Sequence, residues 1–241
     1  MVGIIDIHCH VIPEVDDGAK TLEDSKKMLE LAYAEGIRKI IATHHFCPEI
    51  FASDIVKIER QYQKISEIAK HIGDGIEVFL GCEYYAKMNM SQKLQSETRC
   101  TLANTKYVLI EFLDNAEFSY IRAIVQDLVS NGYKPILAHI ERYDCLYKRE
   151  YIKELHTLGA QMQINADSVI GKSGHLIKRF CKKIIKDNLV DFIATDGHDL
   201  NRRQPKIEKC ANYLEKKMGY EYTRRILIDN PQKIIDEISK E

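Results

Sequence analysis

Short apolar runs recur along this chain, each followed by a helical stretch, and nearly every run ends in a histidine or a carboxylate. The runs are Ile4 to Ile7, Ile37 to Thr43, Ile76 to Leu80, Tyr107 to Glu111, Pro135 to Ala138, Ala160 to Asn165 and Val190 to Thr195. Between them lie stretches of helical period. Thr21 is placed to cap a helix with Leu22, Leu29, Ala32 and Tyr33 on one face, closed at Gly36. Ile55, Ile58, Tyr62, Ile65, Ile68 and Ile72 form an apolar stripe at alternating steps of three and four. Further helices are predicted over about 119–130, 149–158 and 174–187, with a short helix and loop within 84–106. The remainder reads as helical, with Asn230 capping a last helix that has Pro231 at its first position. Seven strands alternating with helices predict a parallel sheet covered on both faces, either a closed barrel or an open doubly wound sheet.

In parallel α/β folds the C-terminal strand ends form the site face. Here they deliver His8 and His10, His44 and His45, Glu83, Glu111, His139, and Asp196 with His198. Only the sixth strand contributes none. Strand side chains two apart share a face, so His8-x-His10 and Asp196-x-His198 can each aim two ligands at one centre. Imidazole and carboxylate together suit Zn²⁺, Mn²⁺ or Fe²⁺, and there are too many donors for one ion. The reading is a site for two or three metals. Asp16-Asp17-Gly18 is a turn signal by itself; beside His8-x-His10 it becomes a ligand loop.

The 35 Lys+Arg balance 36 Asp+Glu, for a net charge of −1. That leaves no basic footprint for nucleic acid. No apolar stretch reaches the roughly 18–20 residues of a membrane span, and the N-terminus shows no signal pattern. A cytoplasmic protein without membrane insertion is expected, its seven cysteines reduced. No G-x-G-x-x-G follows the first strand. Gly171-Lys172-Ser173 lacks the earlier P-loop glycine, because position 166 is Ala166. A thiolate phosphatase of the Cys-x5-Arg type is excluded, since no cysteine has an arginine six residues on. Cys9 and Cys82 alternate away from the neighbouring ligands and read as packing residues; His71, His156 and His175 read as solvated or helix-end residues.

Ile5-Asp6-Ile7-His8-Cys9-His10, Asp16-Asp17-Gly18, Ala42-Thr43-His44-His45, the Glu83 and Glu111 strand ends, His139-Ile140-Glu141-Arg142 and Ala194-Thr195-Asp196-Gly197-His198 together resemble the PHP (polymerase and histidinol phosphatase) superfamily. More narrowly, they resemble its bacterial manganese-dependent protein-tyrosine phosphatases of capsular and exopolysaccharide gene clusters. The resemblance spans nearly the whole chain and implies one domain over 1–241, a distorted seven-stranded (βα)7 barrel. It implies a first ion on His8 and His10 with Glu83 and Asp196 shared, a second on Asp17, His45 and His198, and a third on Glu111 and His139 with Glu83. Register favours His45 over His44 and Asp17 over Asp16, leaving open whether His44 or Asp16 also ligates. Arg142 and Arg203 match the family's phosphate-binding arginines, with Arg202 as the fallback, and planar guanidinium suits a phosphate dianion.

The activity so implied is hydrolysis of phosphotyrosine by an activated water. The implied partner is the autophosphorylated tyrosine-rich tail of a membrane-associated bacterial tyrosine kinase. Mn²⁺ is the metal the family suggests; Fe²⁺, Zn²⁺ and Mg²⁺ also suit these donors. Tyrosinate, with a pKa near about 10, leaves readily; Asp199 is placed by sequence proximity as a general acid. A small-molecule phosphatase such as histidinol phosphatase is the alternative on the same fold. A nuclease is disfavoured by the balanced charge, and a non-enzymatic metal-binding protein by the complete ligand set with two arginines.

Overall fold

The computed structural model describes residues 1–96 and 100–238. Nine strand segments are present: β1 (Ile4–Cys9), β2 (Ile37–Ala42), β3 (His45–Phe46), β4 (Glu77–Leu80), β5 (Glu83–Tyr85), β6 (Tyr107–Glu111), β7 (Lys134–Leu137), β8 (Gln161–Asn165) and β9 (Phe192–Ala194). They alternate with α1 (Leu22–Ala34), α2 (Ile55–Ala69), α3 (Met90–Ser96), α4 (Phe118–Ser130), α5 (Arg149–Leu158), α6 (Ala166–Ile170) and α7 (His175–Lys186). Then come α8 (Glu208–Met218), α9 (Tyr220–Arg224) and α10 (Asn230–Ile238). The pairings are parallel throughout, in the orders β1-β2-β4 and β3-β5-β6-β7-β8-β9. The result is an α/β fold with a curled parallel sheet.

Seven strands were expected; the second and third are present as read, and each is followed across a two-residue break, Thr43–His44 and Gly81–Cys82, by a further short strand, β3 and β5. The backbone stays tied across the breaks, with Gly81 N donating to Ala42 O and Glu83 N to His44 O. Gly81 allows this close approach: a Cβ there would lie 2.7 Å from Ile41 Cγ2. Beyond the breaks, His45 stands opposite Glu83 and Tyr85 opposite Glu111. At the same end, Asp196 N donates to His8 O and His10 N to Gly197 O, which ties β1 to the segment after β9.

Both faces of the sheet are dry. Ile4, Ile40, Val108, Leu137, Ile164 and Ile193 are fully buried in one cluster, and Ile5, Ile7, Ile41, Leu109 and Ile136 in a second. Burial of such side chains contributes about 1.5–3 kcal/mol each. Thr21 caps α1 by accepting from Asp24 N, and on the α2 stripe Ile58, Ile65 and Ile72 are buried. Of the 84–106 segment, 97–99 lie outside the described residues.

One local expectation fails. Asn230 is helical (φ −68°, ψ −48°), not a cap, and Pro231 sits inside a run that starts at Tyr220. The turn at Arg225–Asp229 widens into a π-helix. A prolyl ring removes one helical N–H and crowds the carbonyl four residues back, and the wider turn relieves both. Asn230 instead donates through Nδ2 to Asp191 O, pinning the helix to the start of β9.

Candidate metal and phosphate site

Strand alternation and the two breaks bring five histidines and four carboxylates to one rim. Glu83, fully buried, is the hub. Its Oε2 lies 3.0 Å from His8 Nε2, 3.1 Å from His10 Nε2 and 3.2 Å from His45 Nδ1, and its Oε1 lies 3.0 Å from His139 Nε2. Glu111 Oε1 is 3.0 Å from His45 Nδ1. Asp17 Oδ1 is 3.4 Å from His45 Nε2 and 3.5 Å from His198 Nε2. Asp196 Oδ1 is 3.4 Å from His8 Nε2 and 3.5 Å from His198 Nδ1. All nine expected ligands therefore touch through one network.

Three groups have donor atoms close enough to share an ion: His8, His10 and Asp196; His10, Asp17, His45 and His198; and His45, Glu83 and Glu111. The partition differs from the expected one. His45 replaces His139 beside Glu111, from which His139 Nε2 is 3.8 Å away.

The donor set fits divalent ions on a physical test. His45 Nδ1, Glu83 Oε2 and His198 Nε2 are buried without a hydrogen-bond partner. Orphaned buried polar atoms are costly unless something else satisfies them. The neighbours also fix which ring nitrogens face inward. Gln163 Oε1 lies 3.3 Å from His8 Nδ1, Asp16 Oδ2 2.8 Å from His10 Nδ1, and Asp196 O 3.0 Å from His198 Nδ1. Each of these acceptors calls for N–H at Nδ1, leaving Nε2 a bare lone pair, as metal-binding histidines require.

The two open choices acquire geometry. Asp16 sits behind the cluster, accepting from His10 Nδ1, His45 N and Gly18 N. His44 is buried with Nδ1 on the His45 carbonyl and falls in none of the three groups among the described residues. Two site residues are in strained backbone: His139 and Asp196 have φ of 32° and 52°, a left-handed region that costs a non-glycine residue free energy.

Charge dominates the electrostatics. Burial alone would lower His8, but Glu83 and Asp196 raise it to about 9. Burial likewise lowers His45, and Glu83 and Glu111 raise it to about 10. Burial raises Glu83 and Asp196, yet the facing cations hold both well below the usual carboxylate range. Asp17, paired with His198, falls to about 2. His198 is lowered to about 4 by burial and by His10.

A pH dependence follows for chelator-treated protein. Protonation of His8 and His45 stabilises this form fully below about pH 6.5 and is lost as pH rises through about 9 and 10. An incoming ion must displace those protons. Apparent metal affinity should therefore climb from about pH 6.5 to about pH 10, while the melting temperature of the stripped protein declines across the same interval and levels off above it. Competition with a metal indicator across that range checks the first; an affinity that stays flat would refute it.

Arg142 and Arg203 meet at Asp196, with Nη2 2.8 Å from Oδ2 and 2.6 Å from Oδ1 respectively. Arg202 makes no such contact; only its backbone N–H is engaged, with Asp199. Both arginines line a cavity of about 570 Å³ with Asp17, His45, Phe51 and Glu111. Exposed apolar groups stand on its wall: Ile50 is 73% and Leu113 60% exposed, and Phe51 stacks on His45 with ring centroids 5.2 Å apart.

Asp199 does not line that cavity. Its carboxylate accepts from the backbone N–H groups of Asn201, Arg202 and Arg203. Burial raises it, but these bonds together pull it below its ordinary value, and an anion so held is a poor proton donor.

Several residues lay outside the sequence reasoning. Gln163 sets His8, donates through Nε2 to Asn165 Oδ1 and accepts from His139 N. Asn165 donates to Asp196 Oδ2, and Glu141 accepts from Asn165 N. A signal existed: Gln163 and Asn165 share a face of a strand buried on both sides, where amides are out of place. His156 is the helix-end residue expected, in the last turn of α5, and its Nε2 is 2.8 Å from Asp191 Oδ2. His71 is exposed and faces Glu67, and His175 opens α7. Cys9 and Cys82 are buried thiols, and burial pushes Cys9 up.

Comparison with known proteins adds three findings. Residues 4–236 match the family model for capsular polysaccharide synthesis, CpsB/CapC. The chain is 33% identical over 238 residues to the tyrosine-protein phosphatase CpsB of Streptococcus pneumoniae, covering 96% of this chain and 98% of that protein. It is 31% identical over 219 residues to the tyrosine-protein phosphatase YwqE of Bacillus subtilis, covering 90% and 86%. A solved structure from work on YwqE and CpsB, described as unique metal-dependent tyrosine phosphatases, superposes with a TM-score of 0.89 at 30% identity, covering 97% of this chain and 95% of that one.

Proposed function

The chain belongs to the CpsB/CapC family of capsular polysaccharide synthesis, and from that premise we propose that it is a metal-dependent protein-tyrosine phosphatase. The observation that carries the reading is one cavity that reaches the histidine–carboxylate cluster at Asp17, His45 and Glu111, beside two guanidinium groups. We take residues 1–241 as one domain and the nine strand segments as seven strand paths of a distorted barrel.

His8, His10, Asp17, His45, Glu83, Glu111, His139, Asp196 and His198 would hold two or three divalent ions, Mn²⁺ in the first instance. Bound there, the ions supply Lewis acidity and an ionisable water as nucleophile. Gln163 and Asp16 keep the imidazole lone pairs turned inward. Arg142 and Arg203 bind the non-bridging phosphoryl oxygens, exchanging their hold on Asp196 for the substrate. Phe51, Ile50 and Leu113 offer an apolar wall to the phenyl ring, and so favour aryl over alkyl esters. Tyrosinate is a good leaving group, and the acid role drawn for Asp199 is not carried forward. The substrate is a phosphotyrosine segment, in the first instance the tail of a kinase of capsule or exopolysaccharide synthesis, met in the cytoplasm. No described helix is long and apolar enough to cross a membrane.

The test is phosphate release from a phosphotyrosine peptide after chelation and again after Mn²⁺ is restored, with phosphoserine peptide and histidinol phosphate alongside. Mn²⁺-dependent turnover of the phosphotyrosine peptide alone, lost in Arg142→Ala, is expected. Turnover confined to histidinol phosphate would move the substrate to small molecules and overturn the reading.

A further inference from the structure

The helix α7, which carries none of the candidate ligands, is charged in a one-sided way. His175, Lys178, Arg179, Lys182, Lys183 and Lys186 line a shallow depression of about 690 Å³, with no residue of another element in its wall. At 3.6 residues per turn these six occupy a sector of about 140° along a helix about 18 Å long. The opposite sector carries Phe180, Cys181, Ile184 and Ile185, all buried. In a chain of net charge −1, this is a marked local excess of positive charge.

Most of that charge is uncommitted. Lys178 Nζ donates to Ile170 O, and Lys182 lies 4.9 Å over the Tyr213 ring. Among the described residues, Arg179, Lys183 and Lys186 face no carboxylate at ion-pair distance, whereas elsewhere on the surface lysines and arginines pair repeatedly. Solvated lysines are ordinary; five in one sector without an interspersed acid are not.

Two apolar groups flank the same sector. Leu176, at its border, is 74% exposed. One turn on, Phe180 stacks against Tyr147 with ring centroids 4.3 Å apart, and Tyr147 is 42% exposed. A shallow basic face along a single helix, edged by an exposed leucine and tyrosine, lacks the deep apolar groove that seats a peptide. It matches an extended anionic plane, with the apolar groups at headgroup depth.

We propose that α7 docks this protein on an anionic lipid surface through Lys178, Arg179, Lys182, Lys183 and Lys186, with Leu176 and Tyr147 at its edge. The docking is peripheral and electrostatic. The helix packs against the Ile140–Arg142 turn, and Tyr147 Oη donates to Glu141 O. Docking through α7 would therefore tether the candidate site to the membrane surface.

The experiment is flotation of the full chain with vesicles containing phosphatidylglycerol, against vesicles of phosphatidylcholine alone. Binding to the first only is expected, weakening as salt rises from about 50 to about 500 mM. Each charge removed should cost about fivefold, so a triple Arg179→Gln, Lys183→Gln, Lys186→Gln variant should bind about 100-fold more weakly. Its melting temperature and its turnover of a small aryl phosphate should not change, because these side chains lie on the surface away from the cavity. Wild-type protein that ignores the anionic vesicles, or a triple variant that binds them equally, overturns the proposal. So does binding to polyglutamate or duplex DNA through α7 with vesicles ignored, which would make the face a dock for a macromolecular polyanion.

Discussion

An Asp196→Asn variant should lose at least about 10³-fold in kcat on a phosphotyrosine peptide, the order expected when transition-state charge stabilisation is removed. The reason lies in what this one carboxylate faces. Oδ1 meets Arg203 at 2.6 Å and His8 at 3.4 Å; Oδ2 meets Arg142 and Asn165, each at 2.8 Å. Asparagine preserves the shape and tolerates the left-handed backbone at φ 52°. It removes the charge that both arginines and His8 share. Metal content measured on the purified variant should fall with activity, while far-UV circular dichroism stays native. Retention of a tenth of wild-type turnover at full metal occupancy would refute a role for Asp196 as a shared ligand.

What the sequence disclosed, it disclosed through strand period and order. His8 and His10, or Asp196 and His198, need only two-residue spacing on a strand to share a face, and parallel topology sends them to one rim. What it concealed depends on contacts between distant segments. Nothing local says that Asp16 reaches His10 and the His45 amide while Asp17 faces His198. The breaks at Thr43–His44 and Gly81–Cys82 are tertiary: each lets the chain curl so that His45 and Glu83 converge. The sixth strand offered no ionisable group, so Gln163 and Asn165 drew no attention, although their amides orient His8 and Asp196. Asp199 stood near the right residues in sequence, yet its carboxylate is spent on the turn that presents Arg203. The same limit applies to Pro231, whose place inside a helix is set by the π-turn before it.

Arg142→Ala and Arg203→Ala should each lower kcat/KM on the phosphotyrosine peptide by about 10²-fold, while bound metal stays at the wild-type level. That pairing of outcomes separates phosphate binding from metal holding, because neither arginine offers a ligand atom to an ion. The side chains are about one third exposed, 36% for Arg142 and 35% for Arg203, and both reach into the cavity from opposite sides of Asp196. Their effects should not add. Once one guanidinium is gone, the phosphoryl group is held from one side only, and the remaining arginine is free to stay on Asp196. The double variant should therefore fall less than the product of the single losses, the behaviour of residues acting on one group. Arg142→Lys should recover little, since an ammonium places a point charge where a planar fork can engage two oxygens. Full additivity with a lysine rescue would mean that the two arginines act only as general positive charge, and the two-sided grip on the phosphoryl oxygens would have to be abandoned.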